Sequence, residues 1–199
     1  MTEHEKMLSG KLYDPFKEGM IEERAKAHRL CNEYNQTTEL DSDKRKAILD
    51  ELLPTRDPSV YLQGPIYFDF GVNTTMGKGS YANFNFTVVD TARVTIGENV
   101  FIGPSVSLLC PIHPLCYKDR NTALERSRPI TIKDNCWIAG NVTICAGVTI
   151  GEGCVIGAGS VVTRDIPPNS FAVGVPCRVL RQITEADSVA AHPEWLADN

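Results

Sequence analysis

Residues 130–163 read ITIKDNCWIAGNVTICAGVTIGEGCVIGAGSVVT, and the stretch repeats a pattern of six residues. A β-branched aliphatic residue recurs at every sixth position, namely Ile132, Ile138, Ile144, Ile150, Ile156 and Val162. The residue two places earlier is apolar or small, namely Ile130, Cys136, Val142, Val148, Cys154 and Ser160. A period of six fits neither an α-helix, at 3.6 residues per turn, nor an alternating strand. It indicates a coil with three short faces, whose aliphatic side chains point inward and stack from turn to turn.

The same step of six continues upstream. Two further blocks keep it: Ile96, Ile102 and Leu108, and, more weakly, Met76, Ala82 and Val88. The weaker block gains two residues before Ile96. An ordinary β-sandwich with accidental spacing would not give six consecutive matches. The chain is therefore predicted to be mainly β, a left-handed parallel β-helix of hexapeptide repeats.

Two segments flank this helix and one interrupts it. Residues 1–58 carry no hexad and predict a helical segment, whose first helix has the apolar spacing of Met20, Ile21, Ala25, Ala27, His28, Leu30, Cys31 and Tyr34. A second helix is predicted from Ser42 to just before Pro54. Residues 59–181 form the predicted β-helix domain, and residues 182–199 a polar tail. Residues 110–128, CPIHPLCYKDRNTALERSR, break the period and predict a protruding external loop, which is usually functional.

Composition restricts the class of protein. The 199 residues are 42% hydrophobic and 23% charged, which is typical of a soluble globular protein. The net charge of −5 argues against a nucleic-acid partner, which needs a concentrated basic face. No apolar run approaches the roughly 20 residues of a membrane span, and the polar start is unlike a signal peptide. We therefore expect a cytoplasmic protein with no membrane partner.

The cysteines and histidines argue against a metal site. The seven cysteines include no C-x-x-C pair and predict free thiols. Cys110, His113 and Cys116 are evenly spaced, but a structural zinc needs four ligands and no fourth is nearby. A γ-class carbonic anhydrase, which also uses this fold, needs three histidines. The coil region supplies only His113, so no metal is predicted.

Three features could carry chemistry. His113 is either a general base or a solvated loop histidine. In the motif YANFN, residues 81–85, the amide of Asn83 or Asn85 either faces a cleft or caps a corner. Three arginines near the end of the coils could bind phosphates together or remain solvated: Arg164, Arg178 and Arg181.

An ordered set of motifs runs along nearly the whole chain. It consists of KMLSGKLYD (6–14), YANFN (81–85), HP (113–114), PITIKDNCWIAG (129–140), VIGAGSVVTRDIP (155–167) and GVPCRV (174–179). This set resembles the maltose and galactoside O-acetyltransferase family of hexapeptide-repeat enzymes. The resemblance implies a homotrimer with active sites between subunits, acetyl-CoA as co-substrate and a sugar as acceptor.

The resemblance also implies roles for individual residues. His113 would be the general base for direct attack of the acceptor hydroxyl on the thioester. Asn83 would position the acceptor or stabilise the tetrahedral intermediate, and the Gly140 N–H would be the oxyanion donor. Trp137 would flank the pantetheine, and the nucleotide end would meet Ala158, Thr163, Arg164, Arg178 and Arg181. The acceptor side would include Asp69, Tyr81, Asn83, Arg24, Asp14 and Glu125.

Two positions bear on the acceptor. Galactoside-acetylating members carry an acid where this chain has Thr91, and maltose-type members carry an acid at the position of Glu125. Both features favour a glucose- or maltose-like acceptor over a galactoside. Other acceptors remain open, namely serine, a xenobiotic alcohol or an amino-sugar nitrogen. A non-catalytic β-helix assembly module is the alternative from another class.

Overall fold

The computed structural model describes residues 1–17 and 19–196. The helices are α1 (Glu3–Leu8), α2 (Met20–Asn35), α3 (Ser42–Leu52) and α4 (Tyr117–Arg120). The strands of the first half are β1 (Tyr61–Leu62), β2 (Ile66–Phe68), β3 (Thr74–Met76), β4 (Tyr81–Ala82), β5 (Phe86–Val89), β6 (Val94–Ile96), β7 (Phe101–Ile102), β8 (Ser107–Leu109) and β9 (Pro111–Ile112). Those of the second half are β10 (Arg126–Ser127), β11 (Ile130–Ile132), β12 (Trp137–Ile138), β13 (Thr143–Cys145), β14 (Thr149–Ile150), β15 (Val155–Ile156), β16 (Val161–Val162), β17 (Ser170–Val173) and β18 (Arg178–Gln182). Short 3₁₀ helices follow at Glu185–Asp187, Val189–Ala191 and Pro193–Leu196.

The chain visits three parallel sheets in turn and so winds into a β-helix. The first face has the order β1-β4-β7-β12-β15-β17, closed by β18, which pairs antiparallel with β17. The second face is β2-β5-β8-β13-β16, and the third is β3-β6-β11-β14. This architecture confirms the predicted hexapeptide-repeat β-helix.

The bore is a continuous aliphatic column. Ile132, Ile138, Ile144, Ile150, Ile156 and Val162 are all fully buried, as are the residues two places before them. Burying one such side chain contributes roughly 1.5–3 kcal/mol, so the column is the main source of stability. Cys136 and Cys154 occupy bore positions as small hydrophobic residues.

Each coil of the β-helix has three corners, and two of them differ in how strictly they keep the six-residue repeat. The regular corner joins the first face to the second at residues 83–85, 103–105, 139–141 and 157–159. In these four turns the third residue has a positive φ, at Asn85, Ser105, Asn141 and Gly159, whereas in the first turn, residues 63–65, the positive φ is at Gly64. Asparagine and glycine tolerate this left-handed conformation best. Asn85 is therefore a corner residue, as one of the two interpretations of YANFN held.

The loop corner joins the second face to the third, at residues 69–73, 90–93, 110–129, 146–148 and 163–165. The buried positions there depart from the step of six, running from Phe68 to Met76, from Val88 to Ile96 and from Leu108 to Ile132. The last of these intervals is the external loop, whose ends pair as strands β9 and β10. Additions to the repeat are thus concentrated on one edge of the β-helix.

The N-terminal segment packs against the second face and the loop corner. Helix α2 packs on α3 and β2 and buries Ala27, Leu30, Cys31 and Tyr34. Ile21, Ala25 and His28 are exposed, so their inclusion in the apolar stripe was wrong. The short helix α1, which the sequence did not predict, starts at a capping box between Thr2 and Glu5. In the part of the chain described, no helix is long and apolar enough to span a bilayer.

Candidate active site

His113 is held by a buried carboxylate from the other end of its loop. Strand β9 pairs with β10 so that Ile112 lies opposite Arg126, which brings the preceding Glu125 next to His113. The Glu125 Oε2 atom lies 3.1 Å from the Nε2 atom of His113. The His113 side chain is 52% exposed and the Glu125 side chain only 9%. An open imidazole backed by a buried carboxylate can accept a proton from a bound ligand.

The other oxygen of Glu125 contacts the N-terminal segment. The Tyr13 hydroxyl donates to Glu125 Oε1, and the two backbones exchange hydrogen bonds of 2.9 and 3.1 Å. Tyr13 is 1% exposed. Burial, reinforced by the Glu125 carboxylate, raises the pKa of Tyr13 well above its usual range, so the hydroxyl remains a neutral donor.

Two buried hydroxyls extend this network. Ser127 Oγ lies 3.4 Å from the Tyr13 hydroxyl and 2.6 Å from Thr91 Oγ1. Thr91 is 2% exposed. Its hydroxyl is therefore turned under the loop, and it presents no group to a sugar.

A cavity of about 510 Å³ opens beside His113. It is lined by Leu12, Ile112, His113, Pro114, Leu115 and Arg126. Leu115, at the tip of the loop, is 97% exposed. The volume is that of a small-molecule site, but the cavity is partly open to solvent.

A second cavity, of about 360 Å³, lies between α2 and the second face. His28, Asn32, Tyr67 and Asp69 are among its lining residues. The Asp69 Oδ1 atom is 3.3 Å from His28 Nε2. Sequence reasoning selected Asp69 but missed His28, because nothing in a single sequence signals a contact across 41 positions.

The regular corner carries Asn83, Gly140 and Ala158. Asn83 Oδ1 accepts a hydrogen bond from the Phe84 N–H at 2.8 Å. The N–H groups of Ala139 and Asn141 bond to carbonyls at 2.9 and 2.8 Å, but within the described chain Gly140 N–H has no backbone acceptor. The exposed Ala158 leaves room beside that N–H group.

The first face presents a row of side chains that leads from Trp137 to Arg181. Trp137, Val155, Phe171 and Arg181 are neighbours in register on successive strands. Trp137 is 53% exposed. Tyr81 belongs to an earlier strand of this face and stacks on Tyr61 with ring centroids 6.1 Å apart.

The arginines at the end of the coils differ in their partners. Arg181 forms two hydrogen bonds with Asp187, at 2.6 and 2.7 Å, and lowers the pKa of that carboxyl to about 2. Arg178 Nη1 donates to the Cys177 carbonyl at 2.7 Å. Thr163 and Arg164 are exposed on the loop corner.

Asp14 and Arg24 both lie in the N-terminal segment, next to Phe16. Asp14 accepts a hydrogen bond from Phe16 N–H at 3.0 Å and pairs with Lys17 at 3.7 Å. The Arg24 guanidinium lies 6.0 Å from the centre of the Phe16 ring. Neither residue lines either of the two cavities described above. Across residues 1–17 and 19–196, no three potential metal ligands form a cluster.

Comparison with known proteins assigns the family. Residues 6–56 match the maltose acetyltransferase hexapeptide capping motif, and residues 129–164 match the bacterial transferase hexapeptide (six repeats). Galactoside O-acetyltransferase of Escherichia coli (strain K12) is 44% identical over 183 residues, 92% of this chain and 90% of that protein. The chain belongs to the maltose and galactoside O-acetyltransferase family.

Solved structures of this acetyltransferase family agree over almost the full length. A maltose O-acetyltransferase from Clostridium difficile 630 has a TM-score of 0.90 at 42% identity, covering 93% of this chain and 99% of that one. A galactoside acetyltransferase in complex with coenzyme A also has a TM-score of 0.90, at 43% identity and 94% coverage of both chains. The resemblance stated from the motifs is confirmed.

Six of the predicted site residues of this acetyltransferase lie at two different corners. Asn83, Gly140 and Ala158 follow the regular corner, whereas His113, Thr163 and Arg164 follow the loop corner. Strand β5, which has four residues, separates the two corners by about 13 Å. A single chain brings His113 to Glu125 but leaves Asn83 on another edge.

Proposed function

We propose that this chain transfers the acetyl group of acetyl-CoA to a hydroxyl of a neutral sugar, at sites formed between the subunits of a homotrimer. The observation that carries the proposal is the contact between the half-exposed His113 and the buried Glu125. It supplies a general base at the mouth of a cavity of ligand size.

His113 takes the proton from the acceptor in this mechanism. If Nε2–H donates to Glu125, the other ring nitrogen, Nδ1, keeps the lone pair that accepts the proton. The acceptor oxygen then attacks the thioester carbonyl and forms the new C–O bond. The C–S bond breaks, and the His113 imidazolium returns the proton to the sulfur of coenzyme A. No acetyl-enzyme is formed.

Two further groups act on the intermediate. The unpaired Gly140 N–H is suited to donate to the oxyanion, and the Asn83 amide to position the acceptor. Glu125 acquires a different role from the one the sequence suggested. One of its oxygens contacts Tyr13 and the other contacts His113, so Glu125 orients the base instead of binding the sugar.

Coenzyme A is proposed to run along the coils, next to the first face. The row from Trp137 to Arg181 spans three strand spacings, about 14 Å, which suits a pantetheine that leads to a nucleotide. The exposed ring of Trp137 would flank the pantetheine. Arg178, Arg181, Thr163 and Arg164 would meet the phosphates and nucleotide.

The distribution of site residues supports an oligomeric site. If the regular corner of one subunit faces the loop corner of its neighbour, Asn83 and Gly140 meet His113 of that neighbour. The exposed Leu115 in the loop would then be covered, and the cavity beside His113 would be enclosed further. Cyclic symmetry repeats this heterologous contact three times in a trimer.

The acceptor is proposed to be a glucose- or maltose-like sugar. Asp69, Tyr81 and Asn83 offer groups that bond hydroxyls, and the carboxylate disfavours an anionic acceptor. We place the reaction in the cytoplasm, since all seven cysteines are free thiols, as in a reducing compartment.

An acceptor screen tests the proposal. Release of the coenzyme A thiol would be measured for glucose, maltose, a simple galactoside, glucosamine and serine at saturating acetyl-CoA. We expect the highest specificity constants for glucose or maltose. A preference for serine or for the glucosamine nitrogen would contradict the sugar-hydroxyl assignment, and no turnover with any acceptor would favour a non-catalytic module.

A further inference from the structure

The N-terminal segment reaches the catalytic pair through one side chain. Tyr13 follows α1 by five residues, and its ring belongs to a small apolar cluster with Met7, Met20 and Phe70. The cluster is separate from the main bore and fixes the segment to the loop corner. A phenylalanine would fill this apolar space equally well, so packing alone does not explain the hydroxyl.

The hydroxyl instead serves the Glu125 carboxylate. A buried carboxylate needs hydrogen-bond donors, because it has lost its water. Glu125 is 7% exposed, and its two oxygens are shared between the Tyr13 hydroxyl and the His113 ring. The backbone hydrogen bonds between Tyr13 and Glu125 fix the two chain segments against each other. Rotation of the carboxylate away from His113 would therefore break the Tyr13 contact.

The Tyr13 hydroxyl is itself positioned. Ser127 Oγ lies 3.4 Å away and is fixed in turn by Thr91 at 2.6 Å. These hydroxyls belong to strand β10 and to the corner after β5, so elements from distant parts of the chain determine where the phenol points. A network of this kind is rigid when all of its members are bonded.

We propose that Tyr13 is a positioning residue for acetyl transfer, which holds Glu125 so that His113 stays aimed at the acceptor. The inference rests on the proposed function, since it requires His113 to be the base. Through Tyr13, the N-terminal segment then helps to set the geometry of the active site. Tyr13 touches neither acetyl-CoA nor the acceptor and acts only through Glu125.

The variant Tyr13→Phe tests this role, with Tyr34→Phe as a matched control. Tyr34 is equally buried, and its hydroxyl donates to the Leu62 carbonyl at 2.5 Å, remote from His113. Both variants should lower Tm by about 2–4 °C, because each loses one buried hydrogen bond. Tyr13→Phe should also lower kcat about tenfold with KM for acetyl-CoA within about twofold, whereas Tyr34→Phe should keep kcat.

A double-mutant cycle with Glu125→Gln shows whether Tyr13 acts through Glu125. Once the carboxylate is gone, Tyr13→Phe should lower kcat no further. A second full tenfold loss in that background would overturn the inference. A Tyr13→Phe enzyme that has the kcat of Tyr34→Phe and differs from it only in a raised KM would also overturn it. Ser127→Ala removes the hydroxyl beside the Tyr13 phenol and leaves Tyr13 itself unchanged. It should give a smaller fall in kcat, and it replaces Tyr13→Phe as the test if that variant does not fold.

His113→Ala separates the two claims. If that variant keeps wild-type turnover, His113 is not the base and both the proposed mechanism and the Tyr13 inference fail. If it is inactive while Tyr13→Phe retains full kcat, the mechanism stands and only the inference about Tyr13 fails.

Discussion

The regular corner and the loop corner of the β-helix contribute different things to the site. The regular corner keeps the step of six and offers backbone and small side chains, such as Gly140 and Ala158. The loop corner takes up the additions to the repeat and holds the ionisable groups His113, Glu125 and Asp90. A strictly repeating edge can supply a fixed N–H group, while inserted chain can bring an acid and a base together. In the proposed mechanism, neither corner alone holds a complete acetyl-transfer site.

The loss of the base should be the largest effect. We expect His113→Ala to lower kcat by about 10²–10⁴-fold, the usual contribution of a general base. His192→Ala is the matched control, because His192 also contacts a glutamate, Glu194, at 3.2 Å but lies in the C-terminal segment. Steady-state kinetics on both purified variants would decide the matter. Near-normal turnover of His113→Ala would show that the loop corner does not supply the general base.

The loop corner should also make stability depend on pH. Asp90 is fully buried and accepts hydrogen bonds from Phe70 N–H at 2.8 Å and Thr74 Oγ1 at 2.9 Å. Burial raises its pKa from 3.8 to about 6 despite these bonds. Between pH 4 and 6 the Asp90 carboxyl is therefore largely ionised in the unfolded chain but still protonated in the folded one. The contribution of Asp90 to stability falls as pH rises through this range.

The variant Asp90→Asn should remove this dependence. Relative to the wild type, its free energy of unfolding should rise by up to about 3 kcal/mol between pH 4 and pH 7. Asp134→Asn is the control, since Asp134 accepts a backbone N–H from Glu98 at 2.9 Å but is exposed. Denaturant unfolding across this range would measure both. If the free energy of unfolding changed with pH in the same way for Asp90→Asn and the wild type, Asp90 would not be the source of the pH dependence.

The arginines proposed to bind coenzyme A should give the smallest effect. Arg178→Ala should raise KM for acetyl-CoA about tenfold and leave KM for the acceptor nearly unchanged, because a charge-assisted phosphate contact is lost. Arg181→Ala should have a weaker effect, since Arg181 is already paired with Asp187 and must give up that partner to bind phosphate. If either change raised KM for the acceptor instead, the arginine would belong to the acceptor site.

The two corners also differ in how well they can be predicted from sequence. The bore and the regular corner follow from the step of six, because each coil pairs with the next in a fixed register. His113 could be selected because it is the one histidine in the coil region. The contact between Tyr13 and Glu125 spans 112 positions, and its partners are brought together by an irregular loop and a segment with no repeat. Periodicity carries no information about such contacts, so the contacts of Glu125 with Tyr13 and His113 could not be predicted from the sequence.

Subunit mixing tests the central claim that one site uses the regular corner of one subunit and the loop corner of the next. Asn83→Ala inactivates the first corner and His113→Ala the second, so each homotrimer should be inactive. In a random equimolar mixture, refolded together, about one site in four combines an intact Asn83 with an intact His113. The account predicts recovery of about a quarter of wild-type activity. A mixture that assembles into trimers but stays as inactive as its parents would contradict it, because the two residues would then have to serve the same site from one chain.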